Sequence, residues 1–107
     1  MEKLEYLKAK VFFGLKNLNN GFDSESIYYF SAVDFQIVLD RVEKLGLGIM
    51  GIEPWLNGGF YDVYVFEDFS TSAKDPKWYR SAFLEFNKLG KALQYAASYE
   101  VSDEQLK

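Results

Sequence analysis

The side chains on which most proton shuttles, thiol nucleophiles and transition-metal sites rely are missing, because the chain holds no histidine and no cysteine. What it offers instead is carboxylates and rings: 16 Asp and Glu, with 19% of residues aromatic. Glu53, Asp62, Glu67 and Asp68 are the carboxylates that invite acid–base chemistry of the glycosidase kind, which needs a pair about 5–9.5 Å apart. Spacing along the chain fixes no such distance, and the same four residues suit solvated strand ends and a turn. The Asp-x-Asp-x-Asp-Gly calcium loop is absent. Ser24, Ser26, Ser31, Ser70, Thr71 and Ser72 have no histidine to activate them and no Gly-x-Ser-x-Gly elbow. Gly46-x-Gly48-x-x-Gly51 has a phosphate-loop spacing, but it follows a helix pattern and enters a strand pattern, the reverse of what dinucleotide binding needs. The expectation is therefore no enzyme, no metal and no cofactor, but a surface that binds through rings and charge.

The 107 residues suffice for one domain with one modest core. A composition 49% hydrophobic, with 2 Pro and 8 Gly, argues against disorder. No apolar run approaches the roughly 20 residues of a membrane span, and the first residues alternate charge with apolar side chains rather than follow a secretory order. Zero cysteines fit a cytoplasmic protein. Charge is uneven: residues 1–20 carry +2, residues 21–75 carry −7 and residues 76–107 carry +1. An acidic middle repels phosphate backbones and favours a basic partner, while serving solubility as well.

The elements that must position these residues follow from periodicity. Leu4, Leu7, Val11, Leu15 and Leu18 predict a helix over about 2–18, although Gly14 and Val11-Phe12-Phe13 leave a strand open for its second half. Asn19-Asn20-Gly21 ends it. Ile27–Phe30 reads as a strand, Ser31 as the cap of a helix with Phe35, Val38, Val42 and Leu45 inward, and Gly46 as its stop. A strand over Leu47–Glu53 closes at Pro54. Asn57-Gly58 predicts a type I′ hairpin into a second strand, Phe60–Glu67. Asp75-Pro76 opens a helix with Tyr79, Ala82, Phe83, Phe86 and Leu89 inward, and Trp78 is assigned to the core. A last strand covers about Leu93–Val101, before a frayed end over 102–107 that Ser102 caps.

Residues 1–20 thus form a helical extension on an α+β core over 21–101. The core order β-α-β-β-α-β predicts a ferredoxin-like fold: a four-stranded antiparallel sheet with two helices on one face. The extra helix must cover the open face, pack at an edge or join a second subunit. Strand 60–67 splits by parity. Val63 and Val65 are expected toward the helices; Phe60, Asp62 and Tyr64 toward the open face, beside Glu53 or Trp55. With Glu67 and Asp68 they form the expected partner-binding set; otherwise the first helix seals the rings into a second core. The same topology serves RNA recognition, and Gly59–Phe66 echoes its third strand, but the basic residue is missing and Asp62 sits among the rings. No nucleic-acid or membrane binding is expected.

Two stretches, Phe12–Phe22 (FFGLKNLNNGF) and Gly51–Val63 (GIEPWLNGGFYDV), resemble small bacterial immunity proteins encoded beside secreted toxins, as in contact-dependent growth inhibition and other polymorphic toxin systems. The resemblance spans about residues 11–101. It implies a cytoplasmic protein that binds one cognate toxin domain, often a nuclease, and blocks its active site without catalysis; either a monomer or a homodimer is compatible with the sequence. Trp55 is the first anchor expected in such an interface. A small-molecule-sensing module that dimerises through its sheet is the rival.

Overall fold

The computed structural model describes residues 1–107. Helix α1 (Lys3–Lys10) stops well short of residue 18, because Val11 and Phe12 turn into the core and Gly14 takes φ +76°. The helix end leaves carbonyls without intrahelical donors. The Arg41 guanidinium takes up two of those that follow, at 2.9 Å to Val11 O and 2.7 Å to Phe13 O, and lies 3.8 Å from the centre of the Phe13 ring. Residues 11–18 are neither helix nor strand.

Helix α2 (Ala32–Leu45) begins and ends where local chemistry places it. The Ser31 hydroxyl accepts from Asp34 N–H at 3.2 Å, and Gly46 closes the helix at φ +70°. Helix α3 (Pro76–Asn87) begins at Asp75, whose carboxylate accepts from Lys77 N–H at 3.0 Å. Trp78, Tyr79, Ala82, Phe83 and Phe86 are buried, whereas Leu89, expected inward, lies beyond the last turn and is exposed. The terminal residues do not fray: α4 (Asp103–Leu106) is capped reciprocally by Ser102 and Gln105, and Gln105 Nε2 donates to Leu45 O at 2.9 Å.

Strand β1 (Gly48–Leu56) is the centre of the sheet. It runs through Pro54 instead of closing there. Along one side it pairs antiparallel with β4 (Gln94–Glu100), from Gly48↔Glu100 to Trp55↔Gln94. Along the other it pairs with two short strands, β2 (Gly59–Phe60) and β3 (Tyr64–Val65). The turn between β1 and β2 is of the expected hairpin type, with φ +52° at Asn57 and +77° at Gly58.

The expected single strand 60–67 is therefore broken. From Trp55↔Phe60 to Ile52↔Tyr64, β1 spends two residues and its partner three. That extra residue is a bulge, and the Pro54 carbonyl marks it by accepting from both Tyr61 N–H (3.1 Å) and Asp62 N–H (3.4 Å). Pro54 and its missing donor sit at the interruption, where no ladder bond is lost. Beyond Val65 the chain winds into a 3-10 turn, Phe66–Phe69.

The first expected strand is also reduced. Phe30 alone bridges to β4, its N–H and O bonding Tyr95 at 2.9 and 2.8 Å. Tyr29 faces the other way and is claimed by Asn17 Oδ1 and Leu18 N–H, and Tyr28 and Ala97 do not make the next rung. The antiparallel sheet with both long helices on one face holds: Phe35 of α2 stacks on Tyr95 at 5.2 Å, and Phe83 of α3 meets the same ring edge-on at 5.1 Å. The ferredoxin-like strand order is not what pairs here. Phe30 lies outside β4, and β1 is central instead of the strand that precedes α2. Helix α1 takes the edge position. Its Tyr6 and Leu7 join the core, and Lys3, Leu4 and Leu7 border a hollow shared with Ala97, Ser98 and Tyr99. No helix is long and apolar enough to cross a membrane.

Candidate functional site

The helix-free face of the sheet is where side chains of the expected set meet. A strand sends alternate residues to opposite faces, so Glu53 and Trp55 of β1 share this face with Ala96 and Ser98 of β4. Phe60 joins them through its pairing with Trp55, the two rings 6.4 Å apart and nearly perpendicular. Phe60 is 59% exposed. The Trp55 indole N–H donates to Glu53 Oε1 at 2.6 Å, which holds that carboxylate in one orientation.

Past the bulge, parity inverts. A slip of one residue moves every following side chain to the other face. Val63 and Val65, expected toward the helices, border the open-face hollow, whereas Tyr64 turns inward, stacked on Phe86 at 4.7 Å and edge-on to Phe69 at 5.7 Å. Asp62 lies in the bulge, its carboxylate accepting from Val63 N–H at 2.8 Å, and borders a separate depression with Tyr64 and Glu85. Asp68 accepts from Val65 N–H at 3.1 Å and closes the start of the 3-10 turn. Glu53, Trp55, Phe60 and Glu67 are thus gathered on or around the open face; Asp62, Tyr64 and Asp68 are not.

Between Glu53 and Glu67 the face dips into a hollow of about 370 Å³. Its floor is small residues, Gly51, Ala96 and Ser98, and its sides are Met50, Val63 and Val65. A second irregularity, in the β1–β4 register between Ile49 and Gly51, leaves Met50 as the extra residue on this face while Ile49 and Ile52 are both buried on the other. Met50 and Ser98 also border a second hollow, of about 450 Å³, between α1 and β4. The first helix therefore leaves the rings uncovered.

A loop that the periodicity left uninterpreted seals one end. Asn19 Nδ2 donates to the carbonyls of Asp23, Ser24 and Ile27 at 3.3, 2.8 and 2.9 Å, while its Oδ1 accepts from Gly21 and Asp23 N–H. The loop lays Phe22 against Trp55 and over the wholly buried Tyr29, whose hydroxyl donates to Asp23 Oδ2 at 2.5 Å. The signal for this face in the sequence is the run of small residues Ala96-Ala97-Ser98 opposite Gly51, which leaves room above a sheet.

The electrostatics are one-sided. The ion pairs of the chain are Arg80 with Asp40 (2.8 Å) and Glu43 (3.0 Å), and Lys107 with Glu104 (3.3 Å). Asp23, Glu53, Asp62, Glu67 and Asp68 have no cation within pairing distance. Two tyrosines register the field. Glu85, with burial, Asp62 and Asp68 behind it, holds the Tyr64 phenol above its ordinary value. Burial raises Tyr29 far more, with Asp23 and Glu53 adding to it. No three carboxylates converge as metal ligands would. The arrangement offers shape, apolar area and unpaired negative charge. Comparison with protein-family models, with curated proteins and with solved structures finds no match for this chain.

Proposed function

We propose that this protein is an immunity-type inhibitor, acting in the cytoplasm, that binds the basic face of a cognate toxin domain and performs no chemistry itself. The observation that carries the reading is the open sheet face, where exposed Phe60, Val63 and Met50 adjoin the unpaired carboxylates Glu53 and Glu67. Exposed apolar side chains beside a charge of one sign are the make-up of a protein-binding patch. Nuclease domains present basic surfaces to their substrates, and opposite charge speeds encounter while the rings supply affinity.

The test is co-expression with the product of the adjoining toxin-like reading frame. A salt-sensitive complex is expected, lost on Phe60→Glu or Val63→Asp with the fold retained. Free elution of the two wild-type chains, with toxin activity undiminished, rejects the proposal. The hollow beside α1, walled by Leu4, Leu7, Phe12 and Tyr28, favours the second reading, a small-molecule-sensing module. Thermal stabilisation by a metabolite, together with the absence of a protein complex, selects that reading.

A further inference from the structure

We propose that the hollow between Glu53 and Glu67 seats one arginine side chain projecting from a loop of the partner protein. The proposal rests on the protein-binding reading of the open face and adds the chemistry of its central contact.

Four observations converge on a guanidinium. The hollow contains no lysine or arginine of this chain, and neither Glu53 nor Glu67 has an ion-pair partner. Glu53 is pre-set, since Trp55 Nε1 occupies Oε1 while Oε2 makes no hydrogen bond in the chain. The Glu67 carboxylate likewise makes none, its backbone carbonyl alone accepting from Ser70 N–H. The sides between the two carboxylates are apolar, Met50, Val63 and Val65.

A compact, strongly hydrated ammonium would lose much of its hydration against such walls. A planar guanidinium is more weakly hydrated and can donate two hydrogen bonds to a carboxylate while its stem lies on apolar side chains. The volume, about 370 Å³, sits at the low end of the roughly 300–1,000 Å³ typical of small-molecule sites. The adjacent hollow beside α1, which shares Met50 and Ser98 with it, gives the backbone of the donating loop a place to lie.

The experiment titrates isotope-labelled protein with the capped tripeptide Gly-Arg-Gly, followed by amide and indole shifts. Counterparts carry lysine or citrulline in place of arginine. Saturable shifts are expected at Gly51, Glu53, Val65, Ser98 and the Trp55 indole, with a Kd of about 1–10 mM, as a fragment of this size would show. Citrulline, isosteric but uncharged, should bind about tenfold or more weakly. Ser98→Phe, at an exposed position, fills the hollow and leaves both carboxylates; it should abolish the shifts, and Glu53→Gln should weaken them. Non-saturating shifts spread over all exposed carboxylates, equal binding of citrulline, or full binding by Ser98→Phe overturns the proposal. The toxin complex separates the two claims. If Ser98→Phe still binds the toxin and Phe60→Glu does not, the slot falls and the face stands; if the wild type does not bind, the face reading itself falls.

Discussion

Tyr64 lies stacked on Phe86 of α3, ring centroids 4.7 Å apart and planes inclined by 26°. This contact marks the helix side of β3, and Phe60, four residues earlier, lies on the other side against Trp55. Stacking of a half-buried ring on a buried one contributes stability beyond area alone. Tyr64→Ala should therefore destabilise the fold by about 1–2 kcal/mol, and Phe60→Ala by no more than about 0.5 kcal/mol, as surface substitutions do. Urea unfolding of the two variants compares them directly; equal losses would contradict the placement of the two rings.

Asn19 should behave as the keystone of the loop over Tyr29. Its two N–H donors serve the Ser24 and Ile27 carbonyls, with Asp23 O a longer, shared contact, and its oxygen accepts from two N–H groups; no aliphatic residue replaces either role. In Asn19→Ala, amide exchange should quicken over residues 19–27 and at Tyr29, with the protection of α2 and α3 unchanged. A uniform loss of protection would instead make the loop part of the global unfolding unit.

Arg41 fastens the end of α1 to α2 through the carbonyls of Val11 and Phe13. Hydrogen bonds from a charged donor are worth about 1.5–3 kcal/mol, and Arg41→Ala should cost an amount in that range. Arg41→Lys should recover only part of it, because a compact, strongly hydrated ammonium on a shorter stem lacks the planar face that lies over Phe13. Chemical denaturation with fluorescence detection measures both.

Alkaline unfolding should coincide with tyrosine ionisation. Burial pushes Tyr95 up to about 12, and burial with the Glu43 charge pushes Tyr79 up to about 12. Burial raises Tyr99 further still. The hydroxyls of all three are enclosed without a hydrogen-bond partner in the chain. Each folded value lies above the unfolded one, near 10, so the native state holds protons that the unfolded state releases. Their contribution is complete below about pH 10 and is lost as pH climbs toward about 12. Tyrosinate absorbance for these residues should appear with the loss of far-ultraviolet circular dichroism, not before it. At the acid end the sign reverses for Asp75, which the Thr71 hydroxyl and then the Lys77 N–H hold below the ordinary carboxylate value. Its stabilisation is present above that ordinary value and fades as pH falls through the lowered one. In Asp75→Asn the acid limb of the stability profile should flatten.

What the sequence by itself determined are the features whose chemistry is complete within a few residues. Ser31 and Gly46 bound α2, Asp75-Pro76 opens α3, Asn57-Gly58 makes the hairpin and Ser102 caps the last turn, because each needs only its own neighbours to satisfy a backbone group. The α+β class and both amphipathic helices were legible for the same reason. Tertiary structure alone decided which rings share a face. One extra residue between Phe60 and Tyr64 exchanges Tyr64 for Val63 and Val65 on the open side, and strand periodicity carries no mark of it. Likewise Tyr29 is drawn from an expected strand by Asn17 and Asp23, and the chain just past α1 is held by Arg41, 28 residues beyond Phe13, through the Val11 and Phe13 carbonyls. Such outcomes depend on partners distant in sequence, so local pattern cannot contain them.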